Sequence, residues 1–472
     1  MRIGIDFGTT HTSAAFYDGQ TIRAIPLDPR NANPNLLRSM IYITHEQKRF
    51  LGLAAVRTFL EQDTGRPVVY QKKVVGTIEN TVAQQFKMPS EPDGPITIIY
   101  DVIIEEDIGA QGRLLQSIKT GLRSDSYRGT SIFGRYYTVQ ELIALLLCHV
   151  RTQAERYAQT EIHQAVLGRP VQFSNDPAED QRAEQRLREA AALAGFADVT
   201  FVPEPVAAAS FYLNQVQQPE TVLVFDFGGG TLDLTVMRVD GPQRHEILAT
   251  HGVLIGGDDL DSRLMQKQVA SHFGVNAAID RNFDERMLAF PEDLAELLNQ
   301  WQTIPVLSQP QHLAVIRRAK KYSPEPEKFA ALESLVTKNH GFALFERIEQ
   351  AKRVLSTEPQ ALLNMQVDEI DLALRLTRRN FNLAVSEELS QARQGVREAI
   401  AKAGLTASDV NAVVTTGGSS VIPLFQQMLM QEFPKVRLVP LDTFSGVVNG
   451  LALHAYRSEP KTCPALTEHA GL

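Results

Sequence analysis

Asp6 and Asp226 each close an apolar run and are each followed by Phe-Gly. The two stretches read I-G-I-D-F-G-T-T-H-T (3–12) and T-V-L-V-F-D-F-G-G-G-T-L-D-L-T-V (221–236). In the second, Gly228, Gly229 and Gly230 stand between Asp226 and Asp233, with the hydroxyl of Thr231 beside them. Residues without side chains let backbone N–H groups come close to an anion. Carboxylates suit a hydrated Mg²⁺ or an attacking water. Together these residue types would bind phosphate next to an acid-held metal. The first stretch repeats the grammar with Gly8, Thr9 and Thr10, which suggests two related lobes facing one phosphate chain.

Both stretches need strands to position them. Each apolar run fits a buried strand, and the alternation after Gly230 fits a strand with one polar face, so each unit reads as a hairpin. Taken alone, the second could be an ordinary hairpin with a wide turn. Further on, the strand Val199–Val202 runs into Pro203-Glu204-Pro205 before a small-residue helix over Val206–Tyr212. Proline fixes its own φ and restricts the residue before it, so Glu204 is held in one backbone conformation. It is either a solvated loop acid or, at a strand's C-terminal end, a functional one.

Other junctions repeat the pairing of glycine with charge. Gly256-Gly257-Asp258-Asp259 opens a helix, and Gly417-Gly418-Ser419-Ser420 follows the strand Val410–Thr416 ahead of a Pro423 helix. A strand–glycine–helix junction can present amides to an anion. Over Phe345–Leu355, Glu349, Lys352, Arg353 and Ser356 share roughly one helical face. Such a face is either a solvated ladder or a nucleotide contact. Lys72 and Lys73 lie in the apolar frame of Val68–Ile78. Lysine pairs are usually solvated, but one here could be a fixed cation at a γ-phosphate.

At 472 residues and 43% hydrophobic content, the chain can form two or more well-buried domains. A net charge of −8 argues against nucleic acid or an anionic membrane as the main partner. Two cysteines, Cys148 and Cys463, make a disulfide framework or thiolate zinc site unexpected, which fits a reducing cytosol. Absence of a signal peptide and of a spanning apolar segment adds to the expectation of a cytoplasmic protein. No P-loop, protein-kinase catalytic loop or nucleophile elbow is present.

The ordered set of motifs resembles the DnaK-type, seventy-kilodalton heat-shock family of the actin/sugar-kinase ATPase superfamily. The matching stretches are 3–10, K-K-V-V-G (72–76), G-R-P-V-Q-F (168–173), V-P-E-P-V-A-A-A (202–209), 224–233, G-G-D-D-L-D (256–261), E-Q-A-K-R-V-L-S (349–356) and T-G-G-S-S-V-I-P (416–423). The resemblance implies an α/β, two-lobed actin-like ATPase with duplicated mixed sheets flanked by helices. It implies ATP or ADP with Mg²⁺ in the cleft, and a protein client or co-chaperone as partner. By position, Asp6 and Asp226 look like the acids that hold Mg²⁺ through water. Lys72 looks like the catalytic lysine, Glu204 the acid that orients water or metal, and Thr231 a γ-phosphate-side hydroxyl. Gly8, Thr9, Thr10 and Gly228–Gly230 resemble the phosphate loops. Gly256, Gly257, Glu349, Lys352, Arg353, Ser356, Gly417, Gly418 and Ser419 look like nucleotide-binding positions.

Three departures stand out. Val421 occupies the place of an arginine that usually stacks on adenine. A stretch near 275–340, with five prolines and Trp301, reads as a helical insertion. Its Leu294, Leu297, Leu298 and Trp301 fall at helical spacing, as core or as a docking stripe. The chain also stops soon after its last helix, like the short, YegD-like members without a peptide-binding domain. The expected organisation is lobe I over 1–217 plus 441–457, lobe II over 218–440 and a polar tail over 458–472. The expected activity is slow Mg-dependent ATP hydrolysis by a chaperone-like conformational switch. A small-molecule kinase using the same cleft and a nucleotide-binding regulatory module with little hydrolysis are the alternatives.

Overall fold

The computed structural model describes residues 1–82, 96–174, 176–213, 218–240, 244–279, 288–441 and 445–458. The side chains of Tyr70, 72–82, 96–106, Phe211, Leu213 and Leu288 lie outside that description, as does the expected tail beyond Ser458.

Two sheets carry the architecture, and they repeat one another. In the first, Arg2–Phe7 lies between its hairpin mate His11–Tyr17 and the strand Gln164–Arg169, with Ile22–Ala24 and Asp198–Pro203 at the ends. In the second, Glu220–Phe227 lies between its hairpin mate Leu232–Val239 and Ala412–Thr416, with His245–Val253 and Arg437–Pro440 at the ends. In both, the central strand is antiparallel to its hairpin mate and parallel to its other neighbour. Phe7 and Phe227 are fully buried, so the apolar runs that end in Asp6 and Asp226 are central strands covered by helices. The chain therefore has the duplicated mixed-sheet α/β fold expected from its two hairpins.

The helices Glu204–Leu213 and Gly446–Arg457 join the sheets. Val206, Ala207 and Ala208 of one helix and Val447, Leu451 and Ala455 of the other share a core with Val166, Val222, Val224 and Val414 of the two sheets. Small side chains bring the helices together. A Cβ on Gly450 would stand 1.8 Å from the carbonyl oxygen of Ala207, so only glycine allows this approach.

The region near 275–340 is mostly helical, with helices Pro310–Tyr322 and Pro326–Thr337. It also contains the short antiparallel pair Ala278–Ile279 and Leu288–Ala289, which the proline-rich helical pattern did not suggest. Leu294 and Leu298 are buried in the second core and Leu297 packs against it, so this part of the stripe faces inward. Trp301 instead joins a smaller cluster with Phe59 and Phe342.

Two local boundaries differ from the sequence pattern. Helical spacing over Tyr137–Tyr157 predicts a helix from Tyr137, but the helix begins at Val139, because Thr138 caps it and Tyr137 lies in the strand Arg135–Thr138. Thr138 Oγ1 accepts from Glu141 N at 3.1 Å, and the Glu141 carboxylate accepts from Thr138 N at 2.8 Å. The helix bearing Glu349 extends over Gly341–Thr357, a longer span than its charged face marks out.

Candidate nucleotide cleft

The two hairpins end in matching turns. Gly8 N donates to His11 O at 3.0 Å, and Gly228 N donates to Thr231 O at 3.0 Å. Their tips meet: a Cβ on Gly229 would lie 1.9 Å from Thr10 Oγ1. Thr10 Oγ1 is buried with no hydrogen-bond partner among the described residues. Gly228 O accepts from Gly257 N at 3.0 Å and Ser419 Oγ at 3.0 Å, and Gly229 O accepts from Asp258 N at 2.9 Å. In a trans peptide the N–H points opposite to the carbonyl. The Gly229 and Gly230 amides therefore face away from those donors.

Acids gather beside these turns. Asp6 and Asp226 stand one residue before the ends of the two central strands, and Asp233 lies directly across from Asp226. Burial, and after it the neighbouring Glu204 charge, pushes Asp6 up to about 7. The same two causes, in that order, hold Asp226 well above its ordinary value and push Asp233 up to about 6. Thr231 Oγ1 donates to Asp233 Oδ2 at 2.9 Å. Among the described residues no three His, Cys, Asp or Glu side chains converge to hold a metal directly. Buried acids spaced this way, raised first by burial and then by the Glu204 charge, fit a hydrated cation rather than a directly ligated one.

Lys119 supplies positive charge among these acids. Its Nζ donates to Glu204 Oε1 at 2.8 Å, and the two side chains are only 11% and 13% exposed. Burial works against its charge, but Glu204 and Asp6 outweigh burial and raise its pKa. Lys119 sits in the short turn Ile118–Leu122, which follows the strand Gly112–Leu115. The sequence motifs marked Lys72 as the fixed cation and did not mark Lys119. Lys72 lies on the strand Tyr70–Val82, and its side chain is outside the described residues.

At the other end, helix Gly341–Thr357 turns Glu349, Lys352, Arg353 and Ser356 into the same cleft. Lys352 Nζ donates to Gly257 O at 2.7 Å and to Asp261 Oδ2 at 2.6 Å, so it also ties two elements of the second lobe. Burial raises the pKa of Glu349, but Arg38 and Lys352 outweigh burial and lower it. Arg38, from the first lobe, donates to both carboxylate oxygens of Glu346 at 2.7 Å and to Glu349 at 3.3 Å. Burial, and after it Arg38, hold the His11 imidazole down at about 4 against the Glu349 charge, which raises it. Val421 lines the cleft and is 40% exposed.

One cavity of about 1160 Å³ takes in both ends. It is lined by Asp6, Gly8, Thr9, Thr10, Glu204, Asp226, Gly228–Gly230, Thr231, Gly257, Gly417, Gly418 and Ser419, together with the four residues of the helical face. Of the sequence candidates, Gly256 packs behind the wall: a Cβ there would lie 2.2 Å from Gly229 O. His11 of the first hairpin and Trp301 of the stripe also line the cavity, as do Lys119, Gln116 and Arg38, which no short motif marked. Among the described residues no helix is long and apolar enough to cross a membrane.

A family model described as "Hsp70 protein" matches residues 110–299 and 336–461, more than half of the chain. The matched span includes Lys119 and leaves out Lys72. The chain is also 27% identical, over 436 residues, to "Heat shock 70 kDa protein BIP3" of Oryza sativa subsp. japonica. That match covers 91% of this chain and 52% of the rice protein, so the chain spans about half the length of that curated relative.

Proposed function

The chain belongs to the Hsp70 family, and from that premise we propose that it binds ATP in the cleft and hydrolyses it slowly with Mg²⁺, as a chaperone-like conformational switch. The observation that carries this reading is one cavity with glycine turns and buried acids at one end and the Glu349 face at the other. The lobes of this switch are 1–217 plus 441–457 and 218–440, with 275–340 inserted in the second.

In this reading the Gly229 and Gly230 amides and the Thr9 and Thr10 hydroxyls hold phosphate oxygens. Asp6 and Asp226 are the acids that would hold Mg²⁺ through water, and the ion would neutralise charge on the phosphates. Lys119 takes the role first given to Lys72, a fixed cation at the transferred group. Glu204 accepts from Lys119 and orients the attacking water. Removing one such electrostatic group typically costs about 10²–10³ in rate. Glu349, Arg353 and Ser356 contact the nucleoside, while Lys352 braces Gly257 and Asp261. Closure of the lobes, bridged by Arg38 and Glu346, would carry the nucleotide state to a client or co-chaperone.

ATP turnover with and without Mg²⁺ tests the proposal, with Asp226→Asn as the site control. The expected result is Mg-dependent phosphate release that falls by at least about 10²-fold in Asp226→Asn while the fold is kept. Unchanged turnover in the variant would remove Asp226 from the site. Phosphate appearing only on an added sugar would replace hydrolysis by kinase activity.

A further inference from the structure

Trp301 is the only tryptophan of the chain, and it stands in the stretch 300–335 that the family model does not match. Its indole Nε1 donates to Gln116 Oε1 at 3.0 Å. Gln116 lies three residues before Lys119, at the entrance of the turn that carries it. We propose that Trp301, through this bond, is a positioning residue that sets the Lys119 turn and so couples the inserted helices to the phosphate end of the cleft.

The far side of the turn is already fixed. Arg186 Nη1 donates to the carbonyls of Leu122 and Ser124 at 3.0 and 2.8 Å, and Ile118 and Leu122 are buried in the first core. The near side is built differently. Ser117 sits at φ 55, a left-handed conformation that non-glycine residues keep only when their surroundings hold them. Thr120 N and Oγ1 both donate to Ser117 O, at 3.0 and 2.7 Å, which closes the turn from within. The Trp301 bond holds the adjacent Gln116 from across the cleft.

Trp301 is itself firmly held. Its ring meets Phe342 edge to face with centroids 4.9 Å apart and lies 6.3 Å from Phe59. Thr303 Oγ1 donates to Leu297 O and Gln300 O at 2.8 and 2.9 Å, fixing the turn in which Trp301 stands. Phe59 belongs to the first lobe and Phe342 to the second, so the indole reaches Gln116 only when the lobes are together. Opening them removes a support of the Lys119 turn at the same time as it opens the cleft.

The inference rests on the ATPase reading for its effect on rate, but its geometry can be tested without turnover. Trp301→Phe keeps a ring and loses the donor, and Gln116→Met loses the acceptor. Acetylation of Lys119 by acetic anhydride, followed by mass spectrometry, should be several-fold faster in both variants than in the parent. Single-turnover hydrolysis should fall by about five- to tenfold, with ADP affinity within about twofold and the double variant no worse than either single one. Unchanged Lys119 labelling, multiplying effects in the double variant, or a parallel loss of ADP affinity would each overturn the positioning role. A parent protein that does not turn over ATP would instead overturn the ATPase reading, and the labelling would then decide the clasp alone.

Discussion

Lys119 Nζ lies 2.8 Å from Glu204 Oε1 although the two residues are 85 positions apart. This pair places a buried ammonium beside the carboxylates of Asp6 and Asp233, which also contribute to its raised pKa. In the proposed hydrolysis a fixed cation in that position would act on the group being transferred more than on the nucleotide as a whole.

Lys119→Met should therefore lower saturated turnover by about 10²-fold or more while ADP affinity stays within a few-fold. Lys119→Arg should recover part of the loss. Parallel measurements on Lys72→Ala separate the two lysines. If Lys72→Ala loses turnover and Lys119→Met does not, the cation at the γ-phosphate is Lys72.

The buried acids give the nucleotide-free protein a distinctive pH response. Asp6 and Asp261 are held at about 7 and Asp233 and Asp258 at about 6, each chiefly by burial. Unfolding returns them to the ordinary range near 4. Between these values these acids hold more protons in the folded protein than in the unfolded one, so their contribution is greatest at the acid side and is lost as pH rises from about 4 to 7, outweighing the opposite contribution of His11 with its depressed pKa. Thermal midpoints of the nucleotide-free protein across that window should fall, and Asp6→Asn should flatten part of the slope. A midpoint that climbs steadily with pH would contradict the burial of these groups.

Val421→Arg should tighten ADP binding. The side chain lies at the cleft wall, 40% exposed, with room for a guanidinium to reach a nucleobase. A stacked cation contributes about 0.5–2 kcal/mol. Calorimetry on both proteins measures it directly, and equal or weaker binding would place the base elsewhere.

Gly450→Ala tests the junction of the lobes. Its new Cβ would meet Ala207 O at 1.8 Å, forcing the final helix away from the helix that begins at Glu204. Overpacking of this kind costs about 1–3 kcal/mol. Chemical denaturation should register that loss, together with reduced turnover because Glu204 moves with its helix. Wild-type stability in the variant would mean that the helices slide apart without cost.

What the sequence determined by itself was the pair of hairpins and most of the cleft wall. An apolar run ending in Asp-Phe-Gly is a local signal, because strand periodicity and a turn free of side chains are both encoded within about ten residues. Glu204 between its prolines and the Glu349 face were legible for the same reason. Lys119 was not. An isolated lysine in S-I-K-T-G-L carries no periodicity or spacing that distinguishes it from a solvated one, whereas the Lys72-Lys73 pair stood close to the first hairpin in sequence. Only the tertiary structure brings the Lys119 turn to Glu204, through pairing of Gly112–Leu115 with Ile41–Thr44 and the anchor of Arg186. The bridges of Arg38 to Glu346 and of Trp301 to Gln116 join residues 308 and 185 positions apart. Contacts of that kind depend on how two lobes pack, and local sequence patterns do not encode the packing between lobes.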